Sequence, residues 1–411
     1  MTTTLPDGFL WGAATAAHQI EGNNVNSDFW DSEQKQPGME RSGDAVDSYH
    51  RFAEDMGLLA GAGLNSYRFS IEWARIEPAP GHISLAELAH YRGMIETAQR
   101  LGLTPVVTLH HFTSPRWFAE EGGWMADGAI ERFRFYVEAV TEILHDVKWV
   151  LTMNEPNMLA LMTTMARAMA GARGEREETE WMSPTVEGDA RPVLPDPEAD
   201  VARRLVEAHH AVRGIVRERT GAAVGWSVAN QALVARPGGE EKLAEVRYIR
   251  EDIFLEGARG DDFIGVQSYT SQDVTAEGVV PHPVHPENTL VGNAYRPDAL
   301  GIAVRHAWEV TGGVPVMVTE NGIATADDTR RIAYTATALE HLFGCMGEGI
   351  DVRGYLHWSA LDNYEWGHWA PTFGLIAVDR ETFERRPKPS LAWLGQVARD
   401  GALPGVPVSN H

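Results

Sequence analysis

Cysteine is almost missing from this sequence: of 411 residues, only Cys345 is one. No intramolecular disulfide and no cysteine-rich zinc site can form, so a reducing, cytoplasmic compartment is the expectation. Cys345 itself reads as a small core residue. Basic charge is also scarce. Lys and Arg number 35 against 58 Asp and Glu, a formal net charge of −23, which argues against nucleic acid or anionic membrane as a partner. A neutral small molecule is easier to reconcile with that surface. No apolar run approaches the roughly 18 residues of a membrane-spanning helix. The N-terminal stretch MTTTLPDGFLWGAAT has neither a basic n-region nor a long apolar h-region, so a soluble chain without a secretory leader is expected.

Two kinds of motif are lacking as well. Neither GxGxxG nor GxxxxGK[ST] occurs, which removes the phosphate loop that a doubly wound open sheet wants after an early strand. Sixteen histidines include the pairs His110–His111 and His209–His210, yet neither pair forms an HxH or HExxH arrangement, and the second falls within a predicted helix. A metal-dependent hydrolase is therefore disfavoured, and no cofactor or metal is expected. No Gly/Ser linker divides the chain, so residues 1–411 read as one domain.

What the chain does have is alternation. Short β-favouring runs begin at FLWGAAT (9), SYRFSIEW (66), TPVVTLHHF (104), KWVLTMNEP (148), AAVGWSVAN (222), DFIGVQSYT (262), VPVMVTENG (314) and VRGYLHWSALDN (352). Between them lie stretches such as DSYHRFAEDMGLLAGAG and RRIAYTATALEHLFGCMGEG, with apolar residues at three and four, Asp starts and Gly stops. Strand then helix, eight times over, predicts an α/β fold of the (β/α)8 barrel type. The exception is about 171–200, rich in proline and charge, placed by this reading between the fourth strand and its helix. Loops of that length are functional or disordered. On a barrel this one would lie over the active-site face.

The strand ends carry the chemistry. In VPVMVTENG an apolar run meets Glu320, and a carboxylate at the open end of a strand is either the start of a loop or a group held by a rigid element. The other ends decide between these. Arg68 lies in the second run, His110 and His111 close the third, and Asn154 and Glu155 close the fourth. Gln267 and Tyr269 close the sixth, while Trp358, Asp362, Glu365 and Trp366 follow the eighth. Two carboxylates facing one pocket suit glycosidic bond cleavage, one protonating the leaving oxygen and the other attacking the anomeric carbon or activating water. Their separation, about 5–5.5 Å for retention or about 6.5–9.5 Å for inversion, is not written in a sequence.

The strings FLWGAATAAHQIEG, YRFSIEWARIEP, TLHHF, TMNEPN, DFIGVQSYT, VTENG, HWSALDNYEWG and RRPKPS resemble, in order from Phe9 to about Ser390, the landmarks of glycoside hydrolase family 1. This is the β-glucosidase and β-galactosidase family. The resemblance implies a (β/α)8 barrel, a retaining mechanism and a small β-glycoside or short oligosaccharide as partner. It implies Glu155 as acid/base and Glu320 as nucleophile, with Asn154 on the sugar 2-hydroxyl. Arg68 and Tyr269 would keep Glu320 ionised, while Glu155 would need a raised pKa. Gln19, His111, Glu365 and Trp366 match the residues that clasp the sugar, and Trp358 the aromatic floor beneath the ring. Trp11, Trp30 and Trp73 read as packing, and His110 as a support for the site rather than a ligand.

Three positions depart from the family pattern: His18 stands for a tyrosine, Phe112 for a tryptophan and Gln267 for an asparagine. GHWAPTFG after Trp366 lacks the serine and lysine that hold a 6-phosphate, so a phosphorylated sugar is not expected. Transglycosylation would use the same two glutamates. A non-catalytic sugar-binding barrel would keep Gln19, Trp358 and Glu365 but have no use for both. Glucosyl, galactosyl and fucosyl substrates, and assembly into a homo-oligomer, are left open by the sequence.

Overall fold

The computed structural model describes residues 5–171 and 193–403. Eight strands form a closed parallel barrel: β1 (Leu10–Ala14), β2 (Ser66–Ser70), β3 (Thr104–Thr108), β4 (Trp149–Asn154), β5 (Ala223–Ala229), β6 (Ile264–Gln267), β7 (Val316–Asn321) and β8 (Val352–Trp358). Each pairs with its sequence neighbours and β8 closes on β1, with Leu10 opposite Gly354 and Ala14 opposite Trp358. All eight expected strands are present. Closure removes the sheet edges, and the helices between strands cover the outside.

Helix limits follow local chemistry. The helix Ser48–Ala62 stops at Gly63, whose φ of 102° lets its N–H turn back to the carbonyls of Leu59 and Ala60. Helix Ala199–Thr220 buries Val201, Leu205, Ala208, Val212 and Val216, a stripe at helical spacing, against the sheet. Cys345 sits buried on the helix Asp328–Gly347. Trp11 and Trp73 are buried in the core between helices and barrel, as read.

The sequence reading missed one helix: directly after β4 the chain enters Pro156–Gly171, so the stretch at about 171–200 follows that helix and precedes Ala199–Thr220. The Pro at its first position was the available signal, masked by the strong NEP motif beside it. Of the loop expected at about 171–200, residues 172–192 lie outside the described residues. Residues 193–198 lead without regular structure into Ala199–Thr220.

Inside the barrel, Leu10, Val106, Leu151, Met317 and Leu356 form an apolar plug with Phe263 and Trp358. Toward the C-terminal strand ends the inward residues turn polar: Arg68, Thr108, Asn154, Ser227, Gln267 and Thr319. The floor is thus dry and the mouth wet. Among the described residues no helix is long and apolar enough to cross a membrane.

Candidate active site

Register breaks on both glutamate-bearing strands. The pairing of β4 with β5 shifts between Leu151 and Asn154, and that of β7 with β6 between Val318 and Glu320. Such irregularities bend a strand and re-aim the side chains that follow. Immediately beyond, Gly322 lies so close to β8 that an added Cβ would meet the Trp358 carbonyl oxygen at 2.0 Å. Glycine at that place lets the ends of β7 and β8 converge.

A cavity of about 250 Å3 opens at the C-terminal ends of the strands, lined by His111, Asn154, Glu155, Tyr269, Glu320, Trp358, Glu365 and Trp366 among others. A second cavity of about 230 Å3 adjoins it, sharing Glu155, Met158, Tyr269 and Asn293, so the combined space falls within the roughly 300–1,000 Å3 seen for ligand pockets. Eight of the ten site residues expected from sequence therefore share one wall. The other two stand behind it. Arg68 is fully buried beneath Glu320, and Gln19 donates from Nε2 to the Tyr364 carbonyl at 2.8 Å, leaving its own oxygen buried without a protein partner.

The two glutamates have different surroundings. Arg68 Nη1 bonds Glu320 Oε1 at 2.6 Å, and the Tyr269 hydroxyl donates to Glu320 Oε2 at 2.5 Å. Tyr269 is itself held by the Tyr334 hydroxyl on its carbonyl, 2.7 Å. Glu155 has no side-chain hydrogen bond of this kind among the described residues, and its backbone φ is 43°. Phe112 and Trp366, at 67° and 45°, also line the cavity in the left-handed region. Strained non-glycine residues gathered on one wall are a mark of a functional site.

Burial raises the Glu155 carboxyl well above the usual carboxylate range, and the charge of Glu320 pushes the same way. Burial raises Glu320 too, which the sequence reading did not anticipate. At Glu320, however, the Arg68 charge and the Tyr269 hydrogen bond oppose it. One proton shared by this pair is therefore held preferentially by Glu155. Burial also pushes Glu365 up to about 8, against a hydrogen bond from Trp358 Nε1 at 3.2 Å.

Aromatic rings build one side. His111 stacks near both Trp358 and Trp366, with centroids 6.0 and 6.1 Å apart, and Phe112 meets Trp366 edge-on at 5.1 Å. Burial depresses His111 well below its ordinary pKa, so it stays neutral and can both donate and accept. His110 bonds Ser114 Oγ at 3.0 Å instead of lining the cavity. Among the described residues no group of three or more His, Cys, Asp or Glu side chains is placed to hold a metal ion. Sequence reasoning missed Met158, Met162, Val291 and Asn293 on the cavity wall. The methionines lie four apart on Pro156–Gly171, a helical spacing that could have been read; Val291 and Asn293 sit in an irregular segment that no periodicity marks.

Thermostable β-glucosidase B of Thermobispora bispora is 31% identical over 462 residues, covering 97% of this chain and 92% of that protein. The bifunctional β-D-glucosidase/β-D-fucosidase of Bifidobacterium breve is 29% identical over 477 residues, with 97% and 99% covered. The apo structure of a β-glucosidase named 1317 superimposes with a TM-score of 0.85 at 45% identity, covering 97% of this chain and 100% of its own. The profile of glycosyl hydrolase family 1 matches residues 1–179 and 260–402. Together with the closed barrel and the paired strand-end glutamates, this match settles the family resemblance read from the landmark strings: the chain belongs to glycosyl hydrolase family 1.

Proposed function

We propose that this protein is a retaining β-glycosidase that removes terminal non-reducing β-D-glucosyl, galactosyl or fucosyl residues by double displacement, most simply as a β-glucosidase. The observation that carries this reading is the asymmetry of the glutamates: Glu320 is held by Arg68 and Tyr269, and Glu155 is not. The glucosidase and fucosidase names of the relatives support it.

In the first step Glu320 attacks the anomeric carbon while Glu155 gives its proton to the leaving oxygen. The glycosidic bond breaks, the aglycone departs, and the sugar is left esterified to Glu320. Neutralising Glu320 removes the negative charge that helped keep Glu155 protonated, so its pKa falls and it becomes a base. It then takes a proton from water, whose oxygen attacks the same carbon and frees Glu320. Two inversions give net retention. Asn154 binds the 2-hydroxyl; Gln19, His111, Glu365 and Trp366 hold the remaining hydroxyls, over Trp358 as the floor.

The substrate is a small β-glycoside or short oligosaccharide, and the single cysteine fits a cytoplasmic setting. The test is a panel of aryl β-glycosides (gluco, galacto, fuco, xylo, manno, glucurono, 6-phosphogluco) with NMR of the first sugar released. Cleavage with the β-anomer appearing first is expected. The α-anomer appearing first, or no cleavage of any member, would overturn the reading.

A further inference from the structure

Alternate strands of a (β/α)8 barrel share layers in its interior. Here Arg68 of β2, Asn154 of β4 and Gln267 of β6 form such a layer, and their contacts fix which way one carboxamide points. Arg68 Nη2 lies 2.5 Å from Asn154 Oδ1, and Gln267 Nε2 lies 2.8 Å from the same oxygen. A guanidinium can only donate, so the Asn154 atom facing it is the oxygen. Gln267, meeting that oxygen, must then present its NH2. The remaining groups are Asn154 Nδ2 and Gln267 Oε1, both buried and both without a protein partner. Asn154 lies on the cavity wall and is 1% exposed.

We propose that Gln267 is a positioning residue that, with Arg68, locks the Asn154 carboxamide so that Nδ2 is offered to the 2-hydroxyl of the bound sugar. The inference rests on the glycosidase reading above. With Arg68 alone the carboxamide has one anchor and can pivot about it; a second donor from the far side removes that freedom. Strands two apart in the barrel are separated by roughly 9–10 Å, and the longer arm of glutamine at a position where the family pattern has asparagine provides reach across β5. A hydrogen bond to the 2-hydroxyl strengthens as the anomeric carbon becomes cationic, so its alignment matters to the rate more than to binding.

The test compares an aryl β-D-glucoside with its 2-deoxy counterpart, reading the ratio of kcat/KM values for Gln267→Met and Gln267→Glu. Methionine keeps the length without a donor. Glutamate keeps the length but accepts where Gln267 donates, so Asn154 Oδ1 is left with Arg68 as its one donor. Because Gln267 also hydrogen-bonds Glu320, a loss shared by both substrates reports on Glu320 and only the excess on the glucoside reports on Asn154. Each variant is expected to lose about tenfold to a hundredfold on the glucoside beyond any loss on the 2-deoxy substrate. In an Asn154→Ala background the same change at position 267 should leave the ratio unaltered. Should Gln267→Met fail to fold, Gln267→Glu carries the same reading. Equal losses on the two substrates would make Gln267 a merely structural residue and overturn the proposal, as would an unchanged ratio. A native enzyme that cleaves neither glycoside would instead remove the glycosidase reading on which it rests.

Discussion

Arg68 Nη1 lies 2.6 Å from Glu320 Oε1, an ion pair between β2 and β7 inside the barrel in which the arginine is fully buried and the glutamate side chain 5% exposed. A pair so little exposed gains little net stability, because desolvation offsets most of the attraction. Its consequence is a carboxylate fixed in direction on the wall of the cavity. The behaviour of variants at the two residues follows from that.

Replacing Glu320 by glycine removes the carboxylate proposed to attack and leaves Arg68 facing a small void. Activity should fall by several orders of magnitude in a barrel that still melts cooperatively. Azide should enter and restore cleavage of an activated β-glycoside, giving the α-glycosyl azide. Near-native turnover in Glu320→Gly, or a β-azide product by NMR, would defeat the assignment.

Arg68→Met takes away the cation that opposes burial at Glu320, so the Glu320 pKa should rise further. In the proposed mechanism Glu320 must be ionised to attack. The acid limb of the kcat/KM profile should therefore move to higher pH, with activity near neutrality down by more than about tenfold. A profile of unchanged position would show that the charge of Arg68 does not tune Glu320.

At Glu155 the sign is opposite. Its pKa is raised by burial and by Glu320, and the proposed mechanism works through the protonated form, so activity should be lost as pH rises through that pKa. Glu155→Gln should abolish this alkaline limb. It should also impair alkyl glycosides far more than glycosides of acidic phenols, whose leaving groups barely need a proton. Equal impairment of both would speak against an acid role.

Activity should survive EDTA, since among the described residues no metal-ligand cluster is placed near the cavity. Loss on chelation that a divalent ion restores would revive metal-assisted hydrolysis.

Gly225→Ala tests the barrel wall. A Cβ there would meet the Phe263 carbonyl oxygen at 2.0 Å, in backbone that cannot yield without opening the β5–β6 contact. A destabilisation of about 1–3 kcal/mol is expected, read as a lower melting temperature; an unchanged melt would mean that the strands separate without penalty.

The sequence by itself determined the barrel, because the alternation of β-favouring runs with helical stripes is a local pattern repeated eight times. It also determined the identity of the chemical groups. Glu155, Glu320, Asn154, His111 and Trp358 each stand at or just past a strand end, the part of a barrel that faces the mouth. What it could not determine were relations across the ring. That Arg68 bonds Glu320 and Asn154 at once, and that Gln267 reaches past β5 to the same Asn154 oxygen, depends on closure and stagger, which bring residues 86 to 252 positions apart into contact. The upward shift of Glu320 is of the same kind, since desolvation is a property of everything packed around a carboxyl. So are Val291 and Asn293, brought to the cavity by an irregular segment with no period to read. Periodicity records which face of its own element a residue occupies; which other elements meet that face is decided only when the barrel closes.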